Sequence, residues 1–130
     1  MENAKKMLDA KGKGEYIYDY KNDMMIFKIK DRDYAQSLEF ENLVVDIDTE
    51  GYITGLRVFD ATKVFNFSKL ALHSINNFEF NAEIEDNIIN IRLSFIANLR
   101  NKPITMGSQN FNRQIVDLTM ADSQVLATVV

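Results

Sequence analysis

From Glu15 onward, apolar and polar residues alternate with a period of two over most of the chain, the pattern of strands whose two faces differ. "EYIYDY" (15–20) and "MMIFKIK" (24–30) flank the polar turn "KND" and predict a first hairpin with Ile17, Ile26 and Ile29 among its apolar residues. "AQSLEFEN" (35–42) and "LVVDID" (43–48) continue as strands, and "GYITGLRVF" (51–59) follows a turn at Gly51. The alternation breaks in "DATKVFNFSKLALHSI" (60–75), where Val64, Phe67, Leu70 or Ala71, and Ser74 or Ile75 fall at helical spacing. Asp60 suits the N-cap of that helix, because a carboxylate there can accept from the free amides of the first turn. Strands resume in "NFEFNAEIED" (77–86) and "NIINIRLSFIAN" (87–98), joined by a tight turn near Asp86 and Asn87. "MGSQN" (106–110) reads as a polar connection. The tail "FNRQIVDLTMADSQVLATVV" (111–130) predicts two more strands around "MADS", although its first half also reads as helix. Ahead of all this, residues 1–12 place Ala4, Met7 and Leu8 on one side of a short N-terminal helix that "KGKG" stops; a helix this short must dock or fray.

The expected fold class is therefore α+β: mainly antiparallel β-meander sheet with one central helix at about 60–75, in a single domain spanning 1–130. The second half also resembles the first. "YDYKNDMMIFKIK" (18–30) lies over "AEIEDNIINIRLS" (82–94), with Asp19 on Glu83, the turn 21–23 on 85–87, Phe27 on Ile91 and Lys28 on Arg92. Farther on, "VVDID" (44–48) pairs with "IVDLT" (115–119). Two pseudo-symmetric repeats, 15–75 and 76–130, are the organisation this suggests, although alternating strands resemble one another by pattern alone.

Composition narrows the function classes. The chain of 130 residues is 46% hydrophobic and long enough for an ordinary core. With no cysteine, disulfides, thiolate zinc sites and cysteine nucleophiles are excluded together, which suits a reducing compartment. A single histidine, His73, leaves little for an imidazole metal site. No apolar run approaches the roughly 18–20 residues of a membrane span, and "MENAKKMLDAKGKGEY" has no apolar h-region, so the expected location is cytoplasmic. The net charge of −4 disfavours general adhesion to nucleic acid.

The most suggestive chemistry is the series Asp46, Asp48 and Glu50 before Gly51, which fits the first positions of a twelve-residue calcium loop. Position twelve, where a bidentate carboxylate is required, is Arg57, a cation that would repel the metal. The same residues read more simply as a strand and its turn. Val45 and Ile47 face the core, and Asp46 and Asp48 face water about 6.6 Å apart. At that distance their repulsion in water is roughly 0.6 kcal/mol, which needs no metal to offset it. "Asp48-Thr49-Glu50-Gly51" then makes a type I turn whose last residue is left-handed and closes a bulged hairpin. His73 could pair with Asp60 or Ser68, but it reads as a partly exposed helical residue. No G-x-S-x-G elbow, Walker A sequence or dinucleotide fingerprint is present. Lys28 and Lys30 share a strand face that Arg92 would join, and Phe27 and Tyr34 lie nearby, as in strand-based RNA readers. Phe27, however, alternates with Lys28, and a lysine-protected strand edge explains the pattern without nucleic acid.

Several of these residues carry a family resemblance. Tyr18-Asp19, a polar turn closed by Asp23, the strand "MIF" (25–27), "VDIDTEG" (45–51) and "GLRVFDAT" (55–62) resemble the small bacterial and archaeal domain-of-unknown-function family twenty-two eighty-three. The resemblance implies a strand meander capped by a helix. It brings no activity, cofactor or catalytic residue.

The expected function is accordingly a non-catalytic binding or assembly module that needs no cofactor. It would self-associate as a homodimer or higher oligomer, or meet an unknown protein partner, through an exposed edge such as "QVLATVV" (124–130). The enzyme alternative is a small metal-dependent hydrolase using Asp46, Asp48 and Glu50. A second alternative binds RNA or single-stranded DNA through Lys28, Lys30 and Arg92.

Overall fold

A computed structural model describes residues 5–98, 105–116 and 118–129. They form nine strands: β1 (Lys6–Asp19), β2 (Met24–Ile29), β3 (Tyr34–Phe40), β4 (Leu43–Asp48), β5 (Ile53–Phe59), β6 (Ile75–Glu85), β7 (Ile88–Ala97), β8 (Thr105–Gln114) and β9 (Ser123–Val129). Two five-residue helices, α1 (Ala61–Phe65) and α2 (Lys69–His73), join β5 to β6. All nine strands belong to one sheet in the order β3-β4-β5-β2-β1-β9-β6-β7-β8. Each pairing is antiparallel except the parallel contact of β1 with β9.

The architecture corrects the expected α+β class, because the protein is mostly β and has no central helix. The segment 60–75 is broken at Asn66, whose left-handed backbone (φ 55°) ends α1 while its N–H bonds the carbonyl of Thr62. Ser68 then starts α2 afresh, its hydroxyl accepting from the amide of Ala71 at 3.1 Å. Phe67, one of the residues at helical spacing, packs edge-on against Phe95 beside Phe65, two positions before it, a pair that one continuous helix would not put on the same face. The N-terminal helix is also corrected: from Lys6 onward the segment is the first part of β1, and residues 1–4 lie outside the described residues. "KGKG" does not stop an element there. It makes a bulge, with the register against β9 shifting between Ala10 and Gly14 and Gly12 at φ 77°. "MGSQN" lies within β8 and is no connection.

The hairpins follow the sequence pattern more closely. β6 and β7 meet through Asp86 and Asn87, both left-handed (φ 50° and 60°), as a two-residue turn matched to strand twist requires. At the β4–β5 turn, the Gly51 amide bonds the Asp48 carbonyl at 3.0 Å, and Gly51 sits at φ 87°. The register shifts between Asp46 and Ile47, so this is a bulged hairpin. Residues 115, 116, 118 and 119 are not in a strand, so the described residues of 115–119 do not reproduce β4.

The sheet curls on itself. β2 and β6 are separated by β1 and β9, about 14 Å across a flat sheet. Yet Phe27 of β2 stacks on Phe78 and Phe80 of β6 with ring centroids 5.1 and 4.6 Å apart. Small side chains on the inner face of the intervening strands permit this: Ala10 on β1 and Ala127 on β9 are buried. Gly14 lies beneath the Phe27 ring, where a Cβ would come within 2.7 Å of Cε1. Phe95 covers Gly107 of β8 in the same way, at 2.6 Å from a would-be Cβ. The core is this aromatic layer together with Leu43, Val45, Ile47, Leu56, Ile84, Ile89 and Ile91, all almost fully buried.

The sheet ends on β3 and β8, which leaves each with one unpaired side among the described residues. "QVLATVV" was the expected exposed edge. Its described part lies in β9, between β1 and β6, with both sides paired.

Candidate functional site

The carboxylates singled out in the sequence lie on the sheet face opposite the aromatic layer. Asp46 of β4 is opposite Gly55 of β5, and its carboxylate folds across that glycine, where a Cβ would meet Oδ2 at 2.8 Å. From there Oδ1 accepts from the Ser37 hydroxyl at 2.7 Å and from Arg57 Nη2 at 3.1 Å. Tyr34, on β3, extends the chain of bonds to Ser37 at 2.6 Å. Arg57, which occupies the place where a calcium loop would need its last carboxylate, is thus the counter-ion of the first one.

Asp48 does not face water. Its side chain is 1% exposed, and Oδ1 accepts from the amides of Glu50 and Tyr52, each at 2.9 Å. Oδ2 takes Arg32 Nε at 2.8 Å and Nη2 at 2.7 Å. The same guanidinium bonds the Glu50 carboxylate. Burial works against the charge on Arg32, but its hydrogen bonds to Asp48 and Glu50 outweigh that and raise its pKa. Tyr52 closes the group with its ring beneath both Arg32 and the Lys6 ammonium, 5.6 and 4.9 Å from its centroid. Each of the three carboxylates therefore carries an arginine. Among the described residues no group of three or more acidic or histidine side chains is placed to hold a metal ion.

A second polar cluster was not foreseen, and it joins the two ends of the family pattern. Asp23 closes the β1–β2 turn with a left-handed backbone (φ 52°). Its carboxylate accepts from the Tyr18 hydroxyl at 2.7 Å, the Thr62 amide at 3.1 Å and the Thr62 hydroxyl at 2.6 Å, while its carbonyl takes the Ala61 amide at 3.0 Å. Asp23 thus caps α1 from a distant turn. Asp60 occupies the N-cap position, but its backbone is left-handed (φ 53°, ψ 45°) where side-chain capping uses an extended one, and its carboxylate makes no capping bond. Burial pushes the Asp23 pKa up, but the bonds from Thr62 and Tyr18 pull harder and leave it below the ordinary carboxylate value. Burial, followed by the bond to Asp23, raises the Tyr18 pKa. The signal was present in the sequence as two separate motif fragments, Asp23 and "DAT", whose contact depends on tertiary structure.

Around this clasp, Lys69 bonds the Tyr20 carbonyl at 3.0 Å, and His73 meets the Tyr20 ring edge-on at 6.1 Å. His73 is exposed at the end of α2, and the Ser68 hydroxyl is engaged in capping. The basic residues do not converge. Lys28 pairs with Glu15 at 3.4 Å on the outer face of β2. Arg92 lies on the outer face of β7, beside Asn81, Glu83, Asn90 and Gln124. The stacking of Phe27 on Phe80 puts these outer faces on opposite sides of the core. Phe27 is buried in that stack, while Tyr34 is 64% exposed. Lys30 is exposed after β2, its amide bonded to the Lys13 carbonyl.

The motif residues thus close on one another in a strand meander ending at a short helix. Residues 15–61 match the model of a family described as "Protein of unknown function (DUF2283)". Over 107 residues the chain is 26% identical to a "putative hypoxanthine phosphoribosyltransferase" of Methanosarcina mazei, covering 82% of this chain and 87% of that protein. It is likewise 26% identical over 88 residues to an uncharacterized protein of Methanocaldococcus jannaschii, covering 67% and 76%. No solved structure matches. No helix among the described residues is long and apolar enough to cross a membrane.

Proposed function

We propose that the protein is a non-catalytic assembly module of the cytoplasm in which two copies pair through the outer edge of β8. The supporting observation is the character of that edge. β8 runs for ten residues and pairs with β7 without a register break, from Ile88 opposite Gln114 to Ala97 opposite Thr105. Its outward row from Ser108 through Asn110 and Asn112 to Gln114 is exposed and uncharged. Arg113, the one charged residue of β8, lies in the other row, with its guanidinium over the Phe111 ring; a long, regular edge whose exposed row is uncharged is a template for another strand. β3 differs: it has seven residues, a register break between Tyr34 and Gln36, an acidic Glu39, and further acidic residues beside its ends at 31, 33 and 41, the features that blunt an edge. A two-fold axis through β8 would set uncharged side chains against their own copies.

Backbone bonds in the new ladder contribute about 1 kcal/mol each net, against ~4–15 kcal/mol for the freedom lost on association. The dimer should therefore be weak, and light scattering should follow it from about 10 μM to about 1 mM. The mass should rise toward two chains, and Asn110→Lys with Asn112→Lys should hold it at one chain with an unchanged circular dichroism spectrum. A wild-type protein that stays monomeric throughout would refute the proposal.

The name of the Methanosarcina relative invites phosphoribosyl transfer as a second reading. That chemistry must hold pyrophosphate, by cations or by a cradle of amides at a helix start. Here Arg32 and Arg57 are paired with carboxylates, and both helices have five residues, so the geometry favours assembly. Turnover of hypoxanthine with phosphoribosyl pyrophosphate by the purified chain would reverse that preference.

A further inference from the structure

One end of the sheet carries a cavity of about 560 Å³ lined by β6, β7, β8 and β9. Strand alternation sorts its lining. Phe78 and Phe95 turn inward to the aromatic layer, so Asn77, Glu79, Ser94, Ile96, Ser108 and Thr128 stand on the outer face. The registers put four of these in one row: Thr128 opposite Glu79, Glu79 opposite Ser94, and Ser94 opposite Ser108. Strand spacing makes that row about 14 Å long.

Two features define what such a cavity suits. Its volume lies within the range of small-molecule sites. Its only ionisable lining group is Glu79, which makes no ion pair or side-chain hydrogen bond among the described residues. Thr128 and Ser94 stand on either side of Glu79 in that row, and Ser108 lies beyond Ser94. Thr128 Oγ1 accepts from the Gly12 amide at 2.8 Å, which leaves its proton to donate. Lys11 and Lys13 flank Gly12 on the bulge of β1 but do not line the cavity.

We propose that this cavity binds a small hydroxylated organic cation, of about the size of an amino sugar, with Glu79 as its counter-ion and the three hydroxyls meeting its hydroxyl groups. An anion of the same size meets a carboxylate with no lining cation among the described residues to offset it, so the site discriminates by charge. Ser108 also begins the exposed row of β8, but its side chain stands on the same sheet face as that of Ser94, its register partner, so the lining is complete without a second copy.

The test uses the isotope-labelled full chain at a concentration where light scattering reads a single chain, so that failure of assembly and failure of binding are read separately. Amide shifts are followed by nuclear magnetic resonance on titration with glucosamine, glucose and glucose 6-phosphate. Glucosamine should shift Glu79, Ser94, Ser108 and Thr128 with saturation below about 20 mM, and glucose 6-phosphate should leave them in place. Glu79→Gln, at an exposed position, should weaken glucosamine by about tenfold or more and reduce its advantage over glucose. The proposal is overturned if glucosamine leaves these amides unmoved, if the phosphate ester binds as well as the amine, or if Glu79→Gln binds like the wild type.

Discussion

Replacing Asp23 tests the central structural claim, that one turn residue caps a helix nearly forty positions away. In Asp23→Ala the amide and hydroxyl of Thr62 lose their acceptor, a capping loss of ~0.5–2 kcal/mol. The hydroxyl of Tyr18, a residue only 9% exposed, loses its partner as well, at ~1–3 kcal/mol if water cannot replace it. Alanine must also take up the left-handed backbone at φ 52°, which costs roughly 1 kcal/mol. These losses overlap because they share one carboxylate, so the expected total is about 3 kcal/mol. Asp23→Asn keeps the turn, because asparagine tolerates that backbone, and it keeps one acceptor oxygen. It should lose only about 1–2 kcal/mol, the share that depends on charge.

Urea unfolding measures both variants, with the slope against denaturant unchanged if only the native contact is affected. A double-mutant cycle with Thr62→Val separates the clasp from the turn, and the two changes should be coupled by about 1 kcal/mol or more. If Asp23→Ala costs under about 1 kcal/mol, or the cycle is additive, the cap does not hold α1 and the reasoning fails.

The pH dependence follows from the same carboxylate. Its folded pKa lies below the unfolded value, so its contribution is complete above the ordinary carboxylate pKa and is lost as pH falls through the folded one. The stability gap between wild type and Asp23→Asn should be constant near neutrality and narrow below about pH 4. Arg32→Met strands the buried Asp48 carboxylate with only its two backbone donors, and chemical denaturation should show a loss of ~2–4 kcal/mol that Arg32→Met with Asp48→Asn partly restores. Gly14→Ala drives a Cβ into Phe27 at 2.7 Å and the Thr128 carbonyl at 2.9 Å. Thermal unfolding should show ~1–3 kcal/mol lost, with Phe27→Leu in the same chain relieving the ring contact but not the carbonyl one.

Features made by neighbours in sequence were legible. Alternation located the β1–β2, β4–β5 and β6–β7 hairpins, and Gly51 and Asp86-Asn87 marked turns because positive φ selects those residue types. Long-range contacts escaped. The part of β8 at 106–110 hid as a connection because its outer row is polar and its inner row includes Gly107, so it lacks the alternation of a half-buried strand. β9 read as an edge because nothing local announces its parallel partner β1, whose Gly12 amide bonds the Thr128 hydroxyl 116 residues farther along the chain. The long helix over 60–75 was a misreading of local signals that were present: Asn66 suits a left-handed C-cap and Ser68 a fresh N-cap. In the carboxylate series the acids were visible but not their counter-ions. Arg57 was weighed only against calcium, and nothing in the spacing tied Arg32 to Asp48.

The division of labour along the chain has a consequence for where binding resides. Within 15–61, the residues of the family pattern are occupied with one another. Asp23 holds Thr62 just past the segment's end, Asp46 lies across Gly55 to Arg57, Asp48 braces its own turn, and Gly51 permits that turn. The inner face of the segment also needs a cover, since Phe27 lies on Phe78 and Phe80 and the Tyr16 hydroxyl donates to the Leu72 carbonyl at 2.7 Å. Residues beyond 61 supply that cover, which accounts for an aromatic layer built from both parts of the chain. Their opposite face is under no such demand: there lie the uncharged row of β8 and the cavity with Glu79, which has no ion-pair partner among the described residues. Substitutions at the motif residues should therefore act through stability, whereas those at Asn110, Asn112 and Glu79 should change association or ligand selectivity in a chain that still folds.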